Sequence, residues 1–261
     1  MAKAEELKVI WVLGASGFIG HRIREFFPSD TEVHTISHLG REWELKPRPS
    51  CVVNLASSPP DADEETSIAA NYVFPKSILE YLKNGGEEKI KWVQAASYFE
   101  LQCEFGRTDF YSLHKLKFRE WLTFQNKPNN FEVVNIFLPH IFGPGESINR
   151  LIPSAKYTFK KGEDFVTSSG KQFIPILHVN DACAAIVAAT KSSQTNCSAS
   201  PIWYGRVIEL VQLIHSRIGS GRITIDTKRH SIDENYPKVF FPDKVTGWSA
   251  NSDLTTIFDS K

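Results

Sequence analysis

The chain has 261 residues, 41% of them hydrophobic, and its 30 Lys plus Arg balance 30 Asp plus Glu, so the net charge is zero at pH 7. That balance excludes a global field that would draw the protein onto nucleic acid or an anionic membrane, and it leaves small molecules and proteins as partners. The length suits one large α/β domain with a smaller appended lobe. No stretch approaches the roughly 18 apolar residues that span a bilayer, and residues 1–6 lack the apolar region of a secretory leader, so a cytoplasmic location is expected. Cys51, Cys103, Cys183 and Cys197 are scattered without metal-ligand spacing. They read as reduced thiols packed as small apolar side chains.

In chain order, the apolar run Val9–Leu13 reads as a buried strand that turns sharply at Gly14-Ala15-Ser16-Gly17-Phe18-Ile19-Gly20 into an amphipathic helical pattern, His21–Phe27, closed by Pro28. Glycines at such a turn let the backbone approach a pyrophosphate, and the N–H groups and dipole of the helix that starts there stabilise the anion. Further strands are expected at Glu32–Ser37, Cys51–Ala56, Lys91–Ala95, Glu132–Leu138 and Ile202–Tyr204, with helices at Asn71–Lys83, Tyr111–Phe124 and Asn180–Thr190. The pattern breaks at Gly143-Pro144-Gly145-Glu146, and the stretch to about Leu177 is shorter and more mixed. A helix at Val207–Ile218, a strand at Arg222–Thr227 and a polar tail follow. The alternation predicts an α/β fold, a Rossmann-type doubly wound parallel sheet with a smaller C-terminal substrate lobe. The expected boundaries are 1–143 plus 178–205 for the dinucleotide-binding domain, and 144–177 plus 206–261 for the lobe.

Two features carry chemistry. Tyr111 and Lys115 stand four apart on a predicted helix and therefore share a face. A cation one turn away makes the phenol a better proton donor, as a general acid at a reacting oxygen requires. The second feature is the end of the second strand, where an NAD-binding chain usually carries an acidic residue for the ribose hydroxyls. Here Thr35-Ile36-Ser37-His38-Leu39-Gly40-Arg41 offers hydroxyl, imidazole and guanidinium instead. NADP(H) is therefore the expected cofactor, with Arg41 clamping the 2′-phosphate and Ser37 and His38 donating to it.

These motifs together resemble the extended short-chain dehydrogenase/reductases, the NAD-dependent epimerase/dehydratase superfamily. The loop at 14–20 resembles its cofactor loop, and Val53-Asn54-Leu55-Ala56 the strand end beneath the nicotinamide. Asn71 resembles an asparagine that often begins the next helix, and Tyr111 with Lys115 matches the catalytic pair. Phe142-Gly143-Pro144-Gly145 is similar to the Tyr-Gly-Pro turn, Ser169-Gly170-Lys171-Gln172 and Leu177-His178-Val179-Asn180-Asp181-Ala182 to the return from the substrate lobe, and Lys244-Val245-Thr246-Gly247-Trp248-Ser249 to the closing element. The resemblance implies cofactor contacts at Gly14, Ser16, Gly17, Phe18, Ile19, Gly20, Ser37, His38, Arg41, Ala56 and Lys115.

Within that superfamily, Val93-Gln94-Ala95-Ala96-Ser97-Tyr98-Phe99 is similar to a segment of a 4-ketoreductase subgroup that includes CDP-abequose synthases and dTDP-6-deoxyhexose 4-dehydrogenases. Alignment to commoner members places Ala95 where a catalytic Ser or Thr usually stands, whereas alignment to the subgroup makes Ser97 the hydroxyl that orients the carbonyl. The resemblance implies substrate contacts at His140, Asn149, Arg150 and Gln172. The expected activity is NADPH-dependent reduction of the 4-keto group of a nucleotide-activated 6-deoxy sugar, with Tyr111, Lys115 and Ser97 catalytic. The alternatives are a 4-epimerase or dehydratase on the same fold, or a non-catalytic NADP(H)-binding regulator. A dehydratase needs an added acid and base beside the hydroxyl, and Ala95-Ala96 offers neither. The expected partners are the nucleotide sugar and a second copy in a homodimer, with no metal, nucleic acid or membrane.

Overall fold

The apolar run at the start forms β1 (Val9–Leu13), whose last four residues are buried. The computed structural model describes residues 9–86, 88–125, 131–229 and 236–259, so the expectation for residues 1–6 lies outside the described residues. Two compact units emerge, one of Met1–Leu138, Asn180–Ser200 and Phe241–Ser249, the other of Pro139–Val179, Pro201–Phe240 and Ala250–Lys261.

In the first unit, β1 is followed by β2 (Glu32–Ile36), β3 (Cys51–Asn54), β4 (Ile90–Ser97) and β5 (Phe131–Leu138). After β6 (His140–Phe142), β7 (Phe165–Thr167) and β8 (Phe173–His178) of the second unit, β9 (Asn196–Ser198) returns to the first. Its six strands pair in parallel in the order β2-β1-β3-β4-β5-β9. The order therefore reverses between β1 and β3, which opens a crevice at the carboxyl ends of those strands. This is the α/β fold with a Rossmann-type sheet that the alternation predicts.

The crossovers are α1 (Gly20–Ile23), α2 (Glu64–Ile68), α3 (Phe74–Asn84), α4 (Tyr98–Leu101) and α5 (Phe110–Gln125). Ile78, Leu79 and Leu82 of α3 are fully buried and pack with Trp11, Trp92 and Phe118 in one core. Burial of each such aliphatic side chain contributes about 1.5–3 kcal/mol.

Three expectations need correction. The helix expected over His21–Phe27 is α-helical only to Ile23 and tightens into a 3-10 turn at Arg24–Phe26, because Pro28 forces Phe27 into an extended conformation. The helix expected from Asn71 begins as α3 at Phe74, since Pro75 cannot donate to the carbonyl four residues back. A π turn at Ala69–Val73 takes up the mismatch. The strand at Ile202–Tyr204 is not part of the parallel sheet: β10 (Trp203–Arg206) runs antiparallel to β8 in a three-stranded sheet with β6. The sixth parallel strand is β9, whose three residues are too short to show a period.

The second unit adds α6 (Leu151–Lys160) and α8 (Val207–Ile218), whose buried faces meet over Phe142, Ile174 and Ile176. β11 (Ile223–Ile225) pairs with β7. The helix α7 (Val179–Ala189) leads back into the first unit. Segment 241–249 lies in the first unit, where Val245 N donates to Ser198 O at 3.0 Å.

Candidate functional site

Sterics make the turn after β1 a glycine turn. A Cβ at residue 14, where φ is +76°, would stand 2.6 Å from Ala56 N, and one at residue 20 would stand 2.3 Å from Gly14 O. Both obstacles are backbone atoms, which shift only at a cost. Gly17 N donates to Gly14 O at 3.0 Å, and Ser16 and Gly17 form the exposed tip, with Phe18 and Ile19 half-buried behind them. Bare backbone is thereby presented at the reversal of strand order, which fits a dinucleotide pyrophosphate. Because α1 is a single turn, its dipole adds less than a long helix would, which leaves the amides of the turn as the stronger donors to an anion placed there.

The end of β2 is open. Ser37 Oγ accepts from Leu39 N at 3.0 Å, and the His38 ring meets Phe74 edge-on at 6.1 Å. Arg41 is 72% exposed and pairs with Glu44. A surface pair of this kind is worth at most about 1 kcal/mol, so a phosphate can displace the carboxylate. Residues 37–41 contain no acidic side chain.

Under the crevice, Asn54 Nδ2 donates to Gln94 Oε1 at 2.8 Å, while Asn54 Oδ1 accepts from Ala56 N at 3.1 Å, which fixes the end of β3 beside the glycine turn. Asn71, in the π turn, donates to Ser58 Oγ and Ser67 Oγ and accepts from Ser58 N. His114 Nδ1 lies 3.0 Å from that same Ser67 Oγ, and burial pushes this imidazole below its usual range.

Tyr111 and Lys115 share one face of α5. Lys115 is 5% exposed, donates from Nζ to Ala95 O at 3.0 Å, and lies 5.7 Å from the centre of the Tyr111 ring. Tyr111 packs edge-on to Phe99, which also meets the Tyr98 ring at 4.3 Å and has the Arg107 guanidinium 4.0 Å from its ring centre. Ser97 ends β4 and caps α4, its Oγ accepting from Phe99 N at 3.2 Å. Glu100 completes a capping box through Ser97 N. The sequence motif Ser-x-x-Glu carries that signal, which the apolar strand before it obscures.

In the second unit, Arg150 Nη2 lies 3.1 Å from His140 Nδ1, and Glu146, for which the sequence predicts no site role, reaches both, with Oε1 3.4 Å from His140 Nε2 and 3.7 Å from Arg150 Nε. Burial pushes the His140 imidazole below its usual range. Asn149 is exposed beside this cluster in sequence. Gln172 Oε1 and Ser169 Oγ are buried without a hydrogen-bond partner, in a turn held by donation from Val207 N and Ile208 N to the carbonyls of Gln172 and Gly170. Such orphaned polar atoms are open to a hydrogen bond with water or a ligand. His215 Nε2 lies 3.0 Å from Gly221 O and packs on Phe159, as a structural histidine does.

All four cysteines are free; burial pushes the Cys51 and Cys183 thiols up to about 12, and those of Cys103 and Cys197 to about 11. None is a thiolate at neutral pH. Among the described residues no group of His, Cys, Asp and Glu could hold a metal ion, and no helix is long and apolar enough to cross a membrane.

The model of the NAD dependent epimerase/dehydratase family matches residues 10–198. No curated protein matches the sequence. Among solved structures, RMD from Pseudomonas aeruginosa complexed with NADPH is similar with a TM-score of 0.76 at 16% identity, over 96% of each chain. UDP-glucose 4-epimerase from Thermotoga maritima with UDP-glucose is similar with a TM-score of 0.74 at 14% identity, over 95% of each chain. The NAD dependent NDP-hexosamine 5,6-dehydratase TunA gives 0.75 at 16%, over 96% of this chain and 95% of that one.

Proposed function

The chain belongs to the NAD dependent epimerase/dehydratase family, a family of NAD(P)-dependent enzymes, and from that premise we propose that it reduces the 4-keto group of a nucleotide-activated 6-deoxy sugar with NADPH. The supporting observation is the arrangement around the end of β4, where Lys115 is anchored on Ala95 O and Ser97 Oγ already accepts from Phe99 N. A hydroxyl that accepts in this way keeps its own proton free to donate to a substrate carbonyl. Tyr111 is the proton donor to the oxygen as charge develops on it, and Lys115 holds the ribose side of the site. The bound nicotinamide supplies the redox equivalent.

The reductase reading is favoured over a dehydratase because no free acid and base flank Ser97. Ala95 and Ala96 lack functional groups, and both carboxylate oxygens of Glu100 are engaged, one by Ser97 N and one by Arg119 Nε. Preference for NADPH rests on Ser37, His38 and Arg41 at the end of β2, where residues 37–41 carry no carboxylate and the Glu44 paired with Arg41 is exposed. RMD, similar in fold, is complexed with NADPH. His140, Asn149, Arg150 and Gln172 are assigned to the nucleotide sugar, Arg150 as the diphosphate cation oriented by Glu146. We further propose a cytoplasmic homodimer, which would cover the exposed apolar side chains Ile68, Val73, Phe110 and Phe124.

The test is to mix purified protein and NADPH with a panel of nucleoside diphosphate 4-keto-6-deoxyhexoses and follow loss of reduced-nicotinamide absorbance. Oxidation coupled to a 4-hydroxy product supports the reading. Interconversion of C4 epimers without net oxidation makes the protein an epimerase, and tight NADPH binding with no turnover on any member makes it a regulator.

A further inference from the structure

The strand end that carries Ser97 is gripped by two cations of α5. Lys115 donates directly to Ala95 O, and Arg119, one helical turn further on, acts through a carboxylate. Glu100 is 1% exposed; its Oε1 accepts from Ser97 N at 2.7 Å and its Oε2 from Arg119 Nε at 2.9 Å. The Arg119 guanidinium also lies 5.2 Å from the Phe137 ring on β5, opposite Ala96 in register.

A buried carboxylate is costly unless its charge is matched, and a capping box needs only a neutral Gln at this position. Four residues of α4 do not require an ion pair to start them. What the pair adds is rigidity, because Ser97 N is held by a charge-assisted bond whose acceptor is itself fixed from α5. With its backbone held, Ser97 Oγ stays on Phe99 N and its proton points away from that acceptor position. We propose that Glu100, held by Arg119, is a positioning residue that fixes the Ser97 hydroxyl for its work on the substrate carbonyl. The inference rests on the reductase reading of Ser97.

The test is Glu100→Gln, in wild type and in Ser97→Ala, assayed with NADPH and the same ketosugar panel, alongside amide hydrogen exchange at Ser97 and Phe99. Glu100→Gln should lower kcat about tenfold through misplacement of the hydroxyl. The KM for NADPH should stay within about twofold, and the Ser97 amide should exchange faster. On Ser97→Ala the substitution should cost nothing further. Additive losses would mean that Glu100 acts elsewhere, and unchanged kcat with unchanged exchange would also overturn the proposal. If Ser97→Ala alone keeps full turnover, the catalytic reading of Ser97 has failed, and amide exchange then decides alone whether Glu100 holds that residue. Should Glu100→Gln fail to fold, Arg119→Lys keeps the charge, loses the guanidinium geometry, and is read by the same outcomes.

Discussion

Tyr111→Phe keeps the ring against Phe99 and removes only the hydroxyl. For a general acid, kcat should fall by about 10²–10⁴-fold while NADPH still binds. Near-wild-type turnover on a substrate from the panel would take the proton-donor role away from Tyr111. At the end of β2, Arg41→Ala should weaken NADPH by about tenfold or more and leave NADH unchanged, the size of one lost charge-assisted contact. Equal titration curves for both cofactors in the wild type would reassign the preference. Among the candidate site residues, those the sequence singles out each lie within one short motif. The spacing of Tyr111 and Lys115 alone places both on one helical face. Arg119 and Glu100, 19 positions apart, meet only because α5 packs along β4, so no local pattern could pair them. Glu146 was within reach of a local reading, since it stands four before Arg150, yet its link to His140 depends on how the turn after β6 folds back.

Elements were legible where the period was long or the steric demand local. Runs of buried apolar residues located β1 to β5 to within a few positions, and the 3.6-residue pattern located α5, α7 and α8. The lobe segment was not legible, because β6 and β7 are three residues each and α6 follows a turn-rich stretch that hides its start. The glycine turn allows a direct test of close approach. Gly14 and Gly40 both have positive φ, at +76° and +81°, but a Cβ meets backbone within 2.7 Å at 14 and nothing within 4 Å at 40. Gly40→Ala therefore carries only the left-handed backbone cost, about 1–2 kcal/mol, whereas Gly14→Ala adds displacement of Leu55 and Ala56. Gly14→Ala should lower the melting temperature more than Gly40→Ala, and it alone should abolish dinucleotide binding. Equal effects of the two substitutions would show that contact between the turn and the end of β3 does not limit the site.

Across the full chain, opposite charges cancel at pH 7, and each unit has its own core. Among the described residues, burial makes the His114 imidazole of the first unit and the His140 imidazole of the second reluctant to take a proton. Both values lie below the ordinary 6.5 in the folded chain. As pH falls through that value the unfolded chain takes up protons that the native chain refuses, so the unfolded state is favoured. Stability contributed by the neutral imidazoles is complete above the unfolded value and lost as pH drops below it. Carboxylates held low by their bonds, Glu132, Asp63 and Asp253, stay ionised above about pH 5 and add little slope in that window. Urea unfolding from about pH 7.5 to about pH 5 should therefore show falling stability in the wild type. His114→Gln, which preserves a hydrogen-bonding group toward Ser67 Oγ, should flatten the dependence, and adding His140→Gln should flatten it further. Parallel pH profiles for the wild type and the double variant would mean that these imidazoles titrate alike in the folded and unfolded chains, and burial would then not be the source of acid sensitivity.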